Sequence, residues 1–254
     1  MFSKISEFQS KKNKSKIICL TAYSKNIAQI IDKHTDLILI GDSLGSVLYN
    51  FKSTRSVTLD MMIKHSKSAR QGISNSLMVV DMPYNTYNNP AQALKNCKKI
   101  MKLTKCDAVK LEGGLKIIKI VQLLVKNNIP VLGHLGILPQ FTKGKFKSKG
   151  KTKKEKKEII RDSKLLEEAG AFSIVLECVE KKLAKKITTL INIPTIGIGS
   201  SNNCDGQILV TDDILGLTES KIKFVKKFVD VKKLIAYGAK KFKEEVKSKK
   251  YPSR

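Results

Sequence analysis

The chain has 254 residues, 41% of them hydrophobic and 28% charged, the size of one eight-stranded α/β barrel and too apolar for wholesale disorder. Its formal charge of +27 invites a nucleic-acid reading, yet Arg55, Arg70, Arg161 and Arg254 are the sole arginines among 49 basic residues. Base readout and bidentate phosphate contacts favour arginine, and the lysines are spread over the whole length, so we read a solvated lysine-rich surface and expect no nucleic-acid partner.

Short apolar runs recur along the chain, at residues 17–20, 37–40, 77–80, 108–111, 131–132, 172–176, 195–198 and 207–210. Four of them are apolar or β-branched throughout and the other four are interrupted by one residue each, as expected of strands largely buried on both faces of a parallel sheet. Helical spacing follows most runs. Leu94, Cys97, Ile100 and Met101 fall at i, i+3, i+6 and i+7, and Ile117, Ile120, Val121 and Leu124 repeat the pattern. Residues 141–157 are rich in Lys, Gly and Ser and read as a long loop after the fifth strand, a candidate active-site lid. The chain closes on an amphipathic helical stretch at 224–246, inside a C-terminal helical segment 221–254. Strands alternating with helices predict a closed (βα)8 TIM barrel as a single domain over 1–254. No G-x-G-x-x-G opens a helix after the first strand, which argues against a dinucleotide-binding sheet.

No apolar run approaches the ~20 residues of a membrane helix, and the first ten residues have neither signal-peptide nor transit-peptide character. Five widely spaced cysteines form no C-x-x-C pair, so buried reduced thiols are expected rather than a disulfide framework. The cytosol is the expected compartment, without a membrane partner.

Polar residues gather just beyond the apolar runs: Asp42, Asp81, Glu112, His134 and Glu177. In a TIM barrel all five lie on the C-terminal rim, where active sites form. Converging carboxylates repel unless a cation or a shared proton neutralises them. Oxygen ligands without a Cys or His cluster suit Mg²⁺, which keeps waters and takes one or two carboxylates plus substrate oxygens. Lys110 and Glu112 are two residues apart on a strand and point the same way, so the lysine could hold an anionic substrate. The residues alone give a Mg²⁺ site for a small oxyanion, with a spare carboxylate as base, and name no substrate.

Certain motifs go further. Leu20-Thr21-Ala22-Tyr23, Gly41-Asp42-Ser43-Leu44-Gly45, and Val57-Thr58-Leu59-Asp60 with His65 come first. Asp81-Met82-Pro83-Tyr84, Val109-Lys110-Leu111-Glu112-Gly113-Gly114 and Gly133-His134-Leu135-Gly136 with Pro139-Gln140 follow. Glu168-Ala169-Gly170-Ala171-Phe172, Leu176-Glu177-Cys178, Pro194-Thr195-Ile196-Gly197-Ile198-Gly199 and Cys204-Asp205-Gly206-Gln207 complete the set. In content and order the chain resembles the ketopantoate hydroxymethyltransferase family over nearly its whole length.

The resemblance implies a barrel of the phosphoenolpyruvate/pyruvate type. It implies transfer of a hydroxymethyl unit from 5,10-methylenetetrahydrofolate to 3-methyl-2-oxobutanoate, giving 2-dehydropantoate in pantothenate synthesis. By similarity, Asp42, Asp81 and Glu112 belong to a site for one Mg²⁺ per subunit, and Asp42, Ser43, Asp81 and Lys110 contact substrate. Glu177 stands at the position of the proton acceptor. His134 is an accessory candidate, open between contact with substrate or folate and a packing role. A large homo-oligomer, with a decamer as one form, is implied as well.

Ser24 departs from the aspartate usual after Thr-Ala-Tyr, and Gly199-Ser200-Ser201 replaces a Gly-Ala-Gly turn. Lys145-Phe146-Lys147 with Gly150-Lys151 follows the family's lid pattern in part. These departures fall on the lid and folate side, while the acids and Lys110 are intact. The alternatives are a carbon–carbon lyase or mutase of the related barrels, an RNA-binding protein using the lysine surface, and a catalytically silent barrel.

Overall fold

The computed structural model describes residues 2–142, 147–219 and 222–253. Eight strands run in chain order: β1 (Ile17–Thr21), β2 (Leu37–Ile40), β3 (Leu77–Asp81), β4 (Ala108–Glu112), β5 (Val131–Gly136), β6 (Ser173–Glu177), β7 (Thr195–Ile198) and β8 (Gly206–Leu209). They pair in parallel in that order and close as a barrel, as the alternation of runs predicts. The helices are α1 (Phe2–Ser10), α2 (Lys25–Ile31), α3 (Leu44–Tyr49), α4 (Leu59–Arg70), α5 (Pro90–Thr104), α6 (Ile118–Lys126), α7 (Lys153–Glu168), α8 (Lys181–Leu190), α9 (Thr211–Ile214) and α10 (Val231–Lys247).

Side chains alternate across each strand, and the two faces enter two different cores. Ile38, Ile40, Met78, Val80, Val109, Leu111, Ile174 and Leu176 pack in the larger core with helical residues such as Ile63, Ile100, Leu124 and Leu166. Ile17, Cys19, Leu37, Leu39, Leu77, Val79, Ala108, Leu132, Val175, Ile196 and Ile208 form the smaller inner core. Following the inner face upward in steps of two shows where the chemistry lies. Leu77 and Val79 lead to Asp81, Ala108 leads to Lys110 and Glu112, Leu132 leads to His134, and Val175 leads to Glu177. The inner face is apolar at the start of each strand and charged or polar at its end.

The helix α1, ahead of the first strand, has no counterpart in the sequence reading. Its Ile5 and Phe8 enter the inner core, and Phe8 meets Phe172 edge-on at 5.7 Å. Lys4 Nζ donates to Ser74 O at 2.9 Å and Gln9 Nε2 to Phe172 O at 3.3 Å, both just before strands begin. The helix therefore stoppers the end of the barrel opposite the acidic rim.

The lid assigned to 141–157 needs a shorter boundary. Residues 143–146, including Lys145 and Phe146, lie outside the described residues. Helix α7 already begins at Lys153, because Thr152 and Glu155 form a reciprocal capping box. Thr152 Oγ1 accepts from Glu155 N at 3.1 Å, and Glu155 Oε2 accepts from Gly150 N at 3.1 Å and Lys151 N at 3.0 Å. Composition had read the lysines of that first turn as loop.

The chain divides into two compact units, Met1–Ile208 and Leu209–Arg254. In the second, α10 begins at Val231 rather than near Phe224, since Asp230 caps it by accepting from Lys233 N at 3.4 Å. No residue of α10 is buried, and Leu234, Ile235, Tyr237 and Phe242 stand exposed. Among the described residues no helix is long and apolar enough to cross a membrane. The five cysteines are free thiols, four of them buried.

Candidate active site

Asp42 follows β2 by two residues, and its backbone N–H donates to Asp81 Oδ2 at 3.0 Å. Asp81 ends β3, where it is the register partner of Lys110 on β4, and the two side chains form a close ion pair. Glu112 ends β4 as the register partner of His134 on β5. Glu177 ends β6 opposite Gly136. Asp42, Asp81, Lys110, Glu112 and His134 are all buried, and Glu177 keeps partial exposure. The strand ends thus bring the seven predicted residues to one rim, with Ser43 just beyond Asp42.

Ser43 is held to one side. Its Oγ lies 2.8 Å from Tyr23 OH. His65 Nδ1 lies 2.8 Å from the carbonyl of Tyr23, which can only accept, so Nδ1 carries the hydrogen and Nε2 accepts from Tyr49 OH at 2.9 Å.

His134 bridges two carboxylates without settling on either. Nε2 is 3.1 Å from Glu177 Oε2 and Nδ1 is 3.6 Å from Glu112 Oε1, and neither contact is aligned as a hydrogen bond. Burial and then the Lys110 charge push its pKa down, against the pull of Glu177, so the imidazole is neutral near pH 7.

The backbone beneath Glu177 is tightly constrained. Ile137 N donates to Glu177 O at 2.9 Å, and a Cβ on Gly136 would sit 2.1 Å from that same oxygen. Gly136 also has φ +98°, a left-handed conformation that favours glycine. Here the Gly-His-Leu-Gly motif has a steric meaning: its last glycine lets β5 and β6 approach where the glutamate is presented.

Four carboxylates, Asp42, Asp81, Glu112 and Glu177, meet one ammonium, Lys110. Burial, then the Asp81 charge, pushes Asp42 up to about 7, and burial raises Glu112 well above the usual carboxylate range. Burial alone would lower Lys110, but Asp81, Glu112 and Asp42 outweigh it and hold the amine charged. Among the described residues no group of three or more His, Cys, Asp or Glu is placed to hold a metal ion. An excess of buried carboxylate over ammonium fits a hard cation that takes one or two carboxylates and completes its shell with waters and substrate, and does not fit a structural zinc site.

One site residue escaped the sequence reading as a participant. Gln140, in the loop after β5, is 1% exposed and touches both Asp42 and Glu112. A lone glutamine after a proline has no periodicity or chemical signature to single it out.

The ketopantoate hydroxymethyltransferase family model matches residues 3–254. The chain is 62% identical over 254 residues to the 3-methyl-2-oxobutanoate hydroxymethyltransferase of Pelagibacter ubique, covering 100% of this chain and 98% of that one. It is 47% identical to the enzyme of the same name from Anaplasma marginale, covering 99% and 92%. Among solved structures, a 2,3-dimethylmalate lyase of the PEP mutase/isocitrate lyase superfamily superposes with TM-score 0.61 at 12% identity, covering 98% of this chain and 86% of that one. A phosphonopyruvate hydrolase complexed with oxalate and Mg²⁺ gives TM-score 0.58 at 9% identity, covering 82% and 80%. At such identities these two likenesses show the fold alone.

Proposed function

The chain belongs to the ketopantoate hydroxymethyltransferase family, and on that premise we propose that its acidic rim binds 3-methyl-2-oxobutanoate with one Mg²⁺ and that Glu177 takes the C3 proton. The reaction is formation of ketopantoate from the oxo acid by hydroxymethyl transfer. The observation that carries the site assignment is the charge imbalance: four carboxylates face one ammonium, with Asp42 pushed up to about 7.

Asp42, Asp81 and Glu112 would hold the ion, partly through waters. Bound there, Mg²⁺ supplies Lewis acidity toward the substrate's oxygens, which makes the neighbouring C3–H more acidic. Lys110, kept charged by its carboxylate neighbours, attracts the substrate carboxylate, and Ser43, held by Tyr23, offers a hydroxyl at the same edge. Glu177 removes the C3 proton as general base. The carbon nucleophile left behind takes the one-carbon unit of 5,10-methylenetetrahydrofolate as its bonds to the folate nitrogens break; water supplies the hydroxyl, and the proton leaves on tetrahydrofolate. His134, neutral and beside Glu177, leaves the carboxylate free to turn toward the substrate.

The reading extends to a cytosolic homo-oligomer. The free thiols suit a reducing compartment, and the exposed apolar side chains of α10, Leu234, Ile235, Tyr237 and Phe242, suit contact with a further copy of the chain. The deciding experiment is turnover with 3-methyl-2-oxobutanoate and methylenetetrahydrofolate, with Mg²⁺ and after chelation. Product should require both the folate donor and the ion, and undiminished turnover in excess chelator would refute the metal assignment.

A further inference from the structure

We infer that Gln140 is a positioning residue that holds the two outer carboxylates of the proposed Mg²⁺ site, Asp42 and Glu112, at a fixed separation. The inference rests on the Mg²⁺ reading above and adds to it a residue that neither touches the ion nor the substrate.

Every polar group of Gln140 is used. Its backbone N–H donates to Glu112 Oε2 at 3.0 Å. Its amide Nε2 donates to Asp42 Oδ2 at 2.8 Å and to Met82 O at 3.0 Å. Its Oε1 accepts from Tyr87 OH, and its carbonyl accepts from Arg55 Nε at 2.7 Å. The Tyr87 and Met82 contacts fix which way round the amide lies, since Oε1 must face the hydroxyl and the NH₂ group must face the two acceptors. Gln140 is therefore locked with a donor toward each carboxylate, and those donors come from one residue's backbone and side chain. Asp42 follows β2 and Glu112 ends β4, so the residue spans over the end of β3 between them.

The clamp is tied outward as well. Arg55, which holds the Gln140 carbonyl, stacks over the Tyr84 ring at 5.0 Å, and Tyr84 meets Phe141 edge-on at 5.7 Å. Three loops beyond the strand ends, carrying Arg55, Tyr84 with Tyr87, and Gln140 with Phe141, are joined through this one glutamine. Groups that orient metal-binding side chains in this way typically change metal affinity or activity by ~10–100-fold when removed.

The test is binding of Mn²⁺, as a paramagnetic stand-in for Mg²⁺, to the full-length protein with 3-methyl-2-oxobutanoate present, read by electron paramagnetic resonance. Gln140→Met keeps the length of the side chain and the backbone N–H while removing the amide. It should weaken Mn²⁺ binding by ~10-fold or more. Tyr87→Phe leaves the amide in place but removes the donor to its oxygen, so a smaller loss in the same direction is expected. This second variant keeps the test valid if Gln140→Met folds poorly. Affinities within twofold of wild type for both variants, with normal Mn²⁺ binding by wild type, overturn the clamp and leave the metal site standing. Absence of oxo-acid-dependent Mn²⁺ binding in wild type overturns both.

Discussion

His134 Nε2 lies 3.1 Å from Glu177 Oε2, off the line of a hydrogen bond, while the backbone of Glu177 is pinned by Ile137 N at 2.9 Å. The main chain of the glutamate is fixed and its carboxylate is not, which suits a group that must turn toward a substrate proton. Glu177→Gln should bind oxo acid and Mg²⁺ normally but lose exchange of the C3 proton into deuterated water. Loss of a positioned base costs ~10²–10⁴-fold in rate, a defect that proton NMR of the substrate reads directly without folate. Exchange at wild-type speed would rule out this role.

Asp81 carries two contacts at once, the ion pair with Lys110 and the N–H of Asp42. Asp81→Ala should abolish the Mg²⁺ dependence of oxo-acid binding in calorimetry. It should also lower the melting temperature, because a buried ammonium left without its partner costs about 3–5 kcal/mol. Asp81→Asn should retain more stability and still lose the metal dependence. Oxo-acid affinity that stays Mg²⁺-dependent in both variants contradicts the assignment.

Lys147 and Lys149 flank the undescribed part of the lid, and the Lys149 main chain is bound on both sides, from its N–H to Cys178 O and from Glu180 N–H to its carbonyl, each at 2.9 Å. Their side chains sit on a segment anchored directly after Glu177. Replacing Lys145, Lys147 and Lys149 together with glutamine should raise the KM for the folate donor more than that for the oxo acid. The donor KM of wild type should also climb with salt, since exposed charge attraction is screened. An equal effect on both substrates would reduce the lid to a solvated loop.

Asp32, remote from the rim, tests the scaffold. It is buried, and its carboxylate accepts from Ser74 N at 2.9 Å, Asn75 N at 3.0 Å and Ser76 N at 2.9 Å. Burial opposes the charged form, but the backbone donors of Asn75, Ser76 and Ser74 outweigh it and place the carboxyl below 3.8. A folded value below the unfolded one gives stabilisation that is complete above the unfolded value and lost as pH falls through the folded one. Asp32→Ala should cost roughly 1–3 kcal/mol or more at pH 7 by stranding those N–H groups. In urea melts the gap from wild type should narrow as pH falls below the ordinary aspartate range, and a gap constant with pH would count against the carboxylate's role.

The strands were legible because each is a buried run bounded by polar residues, and the rim acids because each stands one or two positions past such a run. What the runs could not reveal was lateral placement. Nothing in the spacing of Asp81 and Lys110 says that they are register neighbours, or that Gln140 folds over the end of β3 to reach Asp42. The α1 helix was missed for a related reason. Among the described side chains of α1, Ile5 and Phe8 reach the inner core, too few to mark a helical stripe against a lysine-rich background. At α7 the lysines that gave the first turn its loop-like composition concealed a capping box that depends on two residues alone, Thr152 and Glu155.

The stopper at the closed end also sets an order of events during synthesis. Helix α1 is made before every strand of the barrel, yet the partners of Lys4 and Gln9 lie 70, 72 and 163 residues downstream. Its Phe8 ring must wait for Phe172, and so for five strands, before their edge-on contact can form. Contacts so distant in sequence form slowly, so a helix made ahead of the barrel waits for strands made after it. Through that interval the nascent chain carries Phe8 without the ring that covers it in the finished barrel.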